Sequence, residues 1–163
     1  MTLENRSKSR IMQAVRRNGV IWAIQDTKDL FLGRMNASVR IYKYDGINDT
    51  VIRSRESAGK DYSFGGIAVN QNNQALITFN SSSPSDFISI RYADFDSDSV
   101  EVKSGEAIAM TGRWGDYALI TTDFNNIDFW MVHIYAKANG GVGIWISSTA
   151  LPNHIVRLPL LIK

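Results

Sequence analysis

Short runs in which apolar and polar positions alternate recur along the chain, rich in Val, Ile, Tyr, Phe, Trp and Thr and separated by clusters of Asn, Gly, Ser and Asp. The i, i+3, i+4 spacing of an amphipathic helix is weak throughout, so the pattern predicts an all-β protein. Twelve strands are expected: Ile11 to Arg16, Val20 to Gln25, Ser38 to Tyr44, Thr50 to Arg55, Gly66 to Asn70, Ala75 to Asn80, Phe87 to Ala93, Val100 to Lys103, Tyr117 to Thr122, Phe129 to Tyr135, Val142 to Ser147 and His154 to Leu158. They fall into three groups of four.

The punctuation between them repeats. Asn18-Gly19, Asn72-Asn73 and Asn125-Asn126 each separate two strands, and the first residues of these pairs stand 54 and 53 positions apart. Asn and Gly suit a tight hairpin because they reach positive φ at low cost. A large apolar residue follows each time, at Trp22, Leu76 and Phe129, and Arg40-Ile41-Tyr42 is matched by Arg91-Tyr92-Ala93. A period of about 50 residues marks a repeated supersecondary unit, and four short antiparallel strands make the blade of a β-propeller. The predicted fold is therefore a partial β-propeller of about three four-stranded antiparallel blades in a single domain, with blades near 10-57, 62-106 and 113-160. A sandwich or jelly roll holds as many strands but gives no reason for a fixed interval. Three blades fall short of the roughly four to eight that close a ring. Two blade faces are then left open, and the chain is expected to form a homo-oligomer or to lack N-terminal blades.

Composition narrows the classes of function. At 163 residues, 44% hydrophobic and 21% charged, the chain is long enough for one core and of ordinary globular make-up. Eighteen basic against sixteen acidic residues leave +2, which gives a nucleic-acid backbone little to bind. Without Cys there is no thiolate nucleophile and no thiolate metal site. Arg6, Lys8, Arg10, Arg16 and Arg17 make the N-terminus basic, but the apolar run of a secretory signal does not follow them. The most apolar tract, Ile155 to Ile162, is broken by Arg157 and Pro159 and is too short for a membrane span.

Gly112-Arg113-Trp114-Gly115-Asp116-Tyr117, followed by Asp123, Asp128-Phe129-Trp130, Tyr135 and Gly143-Ile144-Trp145-Ile146, resembles a pattern of large exported bacterial proteins of unassigned function. Upstream, Arg10 to Trp22, Asp61-Tyr62-Ser63-Phe64, Ile67 to Asn70 and Phe79 to Ser82 are similar to the same proteins in the same order. Those proteins carry sialidase-like β-propellers in their C-terminal half. The resemblance implies a bacterial propeller segment without Asp boxes, placed outside the cell or on its surface, with carbohydrate or another cell-surface ligand as partner. It also implies that the chain corresponds to the last blades of a longer protein, as a remnant of it.

In a propeller the loop leading into the innermost strand of each blade lies near the axis, and Asp61 and Trp114 stand one period apart there, at 53 residues. Asp61, Tyr62, Arg113, Trp114, Asp116 and Tyr117 are accordingly the candidate ligand-binding residues. An exposed Trp or Tyr stacks on a sugar ring, and Arg and Asp hydrogen-bond its hydroxyls. The competing structural expectation is that Arg113 pairs with Asp116 and that Trp114 packs between blades. Arg40 and Arg91, at equivalent places, are expected on blade faces rather than around a shared anion. Asp94-Phe95-Asp96-Ser97-Asp98 alternates oxygen ligands but lacks the Gly and Glu of a calcium loop, and reads as an acidic turn. His133 and His154 stand alone, so no metal and no cofactor is expected. No Gly-x-Ser-x-Gly elbow, phosphate loop or Tyr-Glu pair is present. The expected function is a noncatalytic binding or interaction module. The alternative is a sialidase-like glycoside hydrolase fragment using Asp61, Arg113, Asp116 and Tyr117.

Overall fold

The structure is a computed structural model that describes residues 10–31, 34–47, 49–55, 59–94, 97–110, 114–115, 118–150 and 155–157. The alternating segments form twelve strands: β1 (Arg10–Arg17), β2 (Val20–Phe31), β3 (Arg34–Tyr44), β4 (Asp49–Arg55), β5 (Asp61–Val69), β6 (Ala75–Ser82), β7 (Ser89–Ala93), β8 (Val100–Lys103), β9 (Leu119–Thr122), β10 (Phe129–Ala136), β11 (Val142–Ala150) and β12 (Ile155–Arg157). They pair antiparallel in chain order as three four-stranded sheets, β1 to β4, β5 to β8 and β9 to β12. Among the described residues no helix is long and apolar enough to cross a membrane.

The largest departures from the expected boundaries are at the β2–β3 hairpin and at the start of β5. The β2–β3 hairpin continues through Asp26, Thr27, Lys28 and Asp29, where apolar alternation stops, because hydrogen bonds and an ion pair of their side chains hold it there. Asp26 is buried against the next sheet, and Asp29 is paired across the strand with Arg40 at 2.6 Å. Strand β5 starts at Asp61 rather than Gly66. A bulge between Ser63 and Gly66, with Phe64 at φ +59°, lets the strand continue past the glycines that read as a break.

The sheets stack face on face. Trp22, Ile24, Val39 and Ile41 of the first sheet pack on Tyr62, Ile67, Val69, Ala75, Ile77, Phe79 and Ala93 of the second. The opposite face of the second sheet, with Ala68, Leu76 and Tyr92, packs on Ile120, Phe129 and Met131 of the third. Every residue of β5 and β6 is buried as a result, although their sequences alternate. Strand β5 lies against β1, β2 and β3 on one side and β9 on the other.

The first hairpin is a two-residue turn with both centres at positive φ, Asn18 at 48° and Gly19 at 84°, the geometry that matches strand twist. The other two are longer. Val69 pairs with Ala75 around residues 70–74, and Thr122 pairs with Phe129 around residues 123–128. Their left-handed residues are Asn73 and Asn126, not Asn72 and Asn125. The third loop is also one residue longer than the second, six against five, and this corrects the expected matching of large residues. Trp22 and Leu76 each face the next sheet, whereas Phe129 faces back onto the second, so Trp130 is their counterpart.

Candidate functional site

Of the expected site residues, Asp61 and Tyr62 open β5, and Trp114 packs against Phe64 of the same strand. Asp61 is fully buried, and its Oδ1 accepts the Ala37 N–H of the first sheet at 3.0 Å. Tyr62 is 8% exposed and meets the Phe79 ring edge-on with centroids 5.1 Å apart. Trp114 is 3% exposed, donates its indole N–H to Asn80 Oδ1 at 3.2 Å, and packs with Phe64, Ile88, Ala109 and Ile134. No ring face of Tyr62 or Trp114 is left for a sugar, because each fills the space between sheets. The expectation of exposed stacking aromatics at these two positions is corrected accordingly. Arg113, Asp116 and Tyr117 lie outside the described residues, as does His154.

The structure brings together a polar chain that sequence reasoning missed. Asp26 reaches from the first sheet to the bulge of β5, where its carboxylate accepts the N–H groups of Phe64 at 2.7 Å and Gly65 at 3.1 Å. Burial pushes its pKa up, against the lowering by those two amides and by the charge of Arg10. From the opposite side, His133 of the third sheet donates its Nε2–H to the carbonyl of the same Phe64 at 3.1 Å, while Nδ1 accepts the Ile134 N–H. These partners assign the neutral tautomer, and desolvation of the fully buried ring lowers its pKa to about 4. Asn80 repeats the Asp26 theme one sheet on, donating to Ile134 O at 2.8 Å. The signal was present: Asp26 and Asn80 are separated by 54 residues, the period of the turns. A buried base and acid in this arrangement hold backbone rather than substrate.

Among the described residues, exposed chemistry lies at clefts on the second and third sheets. One, of about 200 Å³, sits beside the start of β5 and is lined by Ser82, Ser83, Asp86, Phe87 and Ile108 among others. Phe87 and Ile108 are 43% and 63% exposed. Asp86 accepts the Ser83 hydroxyl and lies 3.4 Å from Lys60, contacts that hold its carboxyl below the usual range. It is a hydrogen-bond acceptor there, not a general acid. The other cleft, of about 490 Å³, lies at the third hairpin between Thr121, Thr122, Asp123, Phe124, Asn126 and Trp130.

The two equivalent arginines serve their own sheets. Arg40 bonds Asp29, while Arg91 bonds the Ser99 hydroxyl and carbonyl at 2.8 Å and lies 3.4 Å from Glu101. Asp94 closes the acidic segment as a turn, accepting the Ser97 N–H at 2.7 Å and its hydroxyl at 2.6 Å. Comparison with protein-family models, with curated proteins and with solved structures gives no match for this chain.

Proposed function

We propose that the chain is a noncatalytic binding or interaction module whose three sheets are blades of a partial β-propeller, akin to the exported bacterial propellers it resembles. The observation that carries this reading is the division of its chemistry. Asp61, Asp26 and His133 are buried and hold backbone of neighbouring sheets, whereas the exposed clefts offer aromatic and aliphatic surface beside hydroxyl and carboxylate acceptors. Surfaces of that make-up bind, with apolar contact supplying affinity and a few polar groups supplying orientation. The propeller part is supported by the chain-order sheets, by their face-on stacking, and by β5 lying beside both β1 and β9, as innermost strands around an axis would.

Carbohydrate at a cell surface is the proposed ligand, held at the cleft beside β5 by hydroxyls bonded to Asp86 and Ser83 and a ring face against Phe87. The test is a glycan array run beside a panel of chromogenic glycosides. Saturable binding that Phe87→Ala weakens about tenfold, without release of chromophore, is expected. Turnover of any glycoside would replace the module with a hydrolase.

A further inference from the structure

The outermost face of the third sheet is apolar and, beyond the buried Ile134 and Ala136, partly exposed among the described residues. Because Phe129 and Met131 point to the second sheet, the alternate residues Trp130 and Val132 point away, with Thr121, Leu119 and Ile146 opposite them across the ladders. Ile144 is 69% exposed, Leu119 57% and Val142 44%. Among the described residues the first sheet also has an uncovered outer face. Trp22 and Ile24 point inward, so Ile21 and Ala23 point out with their ladder partners Arg16, Ala14, Tyr44 and Tyr42. Ile21 and Tyr44 are 39% and 41% exposed.

The two internal interfaces show how one sheet's first hairpin meets the next. The last pairs before each turn on the face away from the next sheet are Arg16 with Ile21, Val69 with Ala75, and Thr122 with Phe129, which makes Arg17, Asn70 and Asp123 equivalent. Arg17 reaches forward and donates to Val69 O of the second sheet at 3.3 Å. Asn70 reaches forward and donates to Ile127 O of the third at 3.1 Å. Beside them, Asn18 donates to Asn73 Oδ1 at 3.0 Å, and the Gln71 N–H donates to Asn126 O at 2.9 Å. Asp123 occupies the third such position, on the rim of the open cleft that also exposes Phe124 and Trp130. Arg17 meets the Arg16-equivalent Val69 and Asn70 a carbonyl of the third hairpin loop, so a continued stacking step sets the Asp123 carboxylate beside the first hairpin of the next sheet, where Arg16 stands on the outer face.

We propose that the open face of the third sheet docks the outer face of the first sheet of a second copy, with Asp123 against Arg16 of that copy. The inference rests on the module reading above and names its partner. The third hairpin carries Asp123 and Asp128 while the first carries Arg16 and Arg17, so the charges at the turn are complementary in this direction. Each copy offers one donor and one acceptor face, and two such contacts close a head-to-tail dimer of six sheets, inside the range of about four to eight blades that propellers use.

Sedimentation velocity of the full chain tests this. A mass twice that of one chain is expected. Ile144→Asp, at a position exposed in the single chain, is expected to give folded monomers with unchanged circular dichroism. Asp123→Arg or Arg16→Asp alone is expected to weaken the dimer about tenfold or more, and the double exchange to restore it. Monomers of the unaltered chain, open-ended polymers, or a dimer indifferent to all of these substitutions would overturn the docking. A monomer that still binds glycans defeats the docking and leaves the module reading standing, whereas a dimer that turns over glycosides defeats the module reading alone.

Discussion

At the scale of single residues, His133 is the most informative group. Its buried ring is neutral when folded, with a pKa of about 4, and regains a value near 6.5 when unfolded. The unfolded chain therefore binds the extra proton first, and stability is full above about pH 6.5 and lost as pH falls towards 4. The difference is worth about 3 kcal/mol at most. Urea melts across that range are expected to show the slope, and His133→Gln to flatten it. Asp26 acts with opposite sign, from its ordinary value of 3.8 upward, because its raised pKa makes the folded state the better proton acceptor. Asp26→Ala leaves the Phe64 and Gly65 amides without their acceptor, and chemical denaturation is expected to record a loss of about 1–3 kcal/mol for each. Neither role was legible from composition. An Asp inside a strand and a lone His on an apolar strand carry no local mark of which backbone they will meet.

At the scale of elements, strand periodicity and turn chemistry were legible almost everywhere, since Val, Ile, Tyr and Thr alternate where β2, β3, β6, β10 and β11 form. What alternation missed were the ends that polar partners extend, in β2 beyond Gln25 and in β5 before Gly66. The bulge of β5 also explains why glycine stands there. A Cβ on Gly65 would lie 2.6 Å from Ile24 Cδ1 of the facing sheet. Gly65→Ala is expected to destabilise by about 1–3 kcal/mol in thermal or urea unfolding, and Ile24→Val, which removes that methyl, to recover part of the loss in the double variant. The candidate site divided along the same line. Sequence spacing located Asp61 and Trp114 one period apart, but their burial is set by neighbouring sheets, which spacing within one strand does not report.

At the scale of the whole molecule, the second sheet is the keel: both of its faces are covered, and the first and third sheets each use one. Phe129, fully buried between the second and third sheets, is expected to cost about 3–5 kcal/mol when replaced by Ala, read by equilibrium unfolding. If a second copy covers the remaining faces, folding is linked to association, and the melting temperature is expected to rise with protein concentration. A melting temperature independent of concentration would match a chain whose outer faces stay wet.

The sequence by itself determined that the chain is all-β, that its strands come in fours, and that Asn-rich hairpins return at a nearly constant interval, because backbone preference and pleat alternation act over a few residues. Only the tertiary structure decided which face of each sheet is inside. The third hairpin loop, 123–128, is one residue longer than the second, 70–74, and this turns the following strand over, so Phe129 points back where Trp22 and Leu76 point forward. It decided, too, that Asp61 and Trp114 tie sheets together and that Asp26 and His133 clamp one bulge from both sides, since hydrogen-bond partners tens of residues apart are chosen by stacking and not by local pattern.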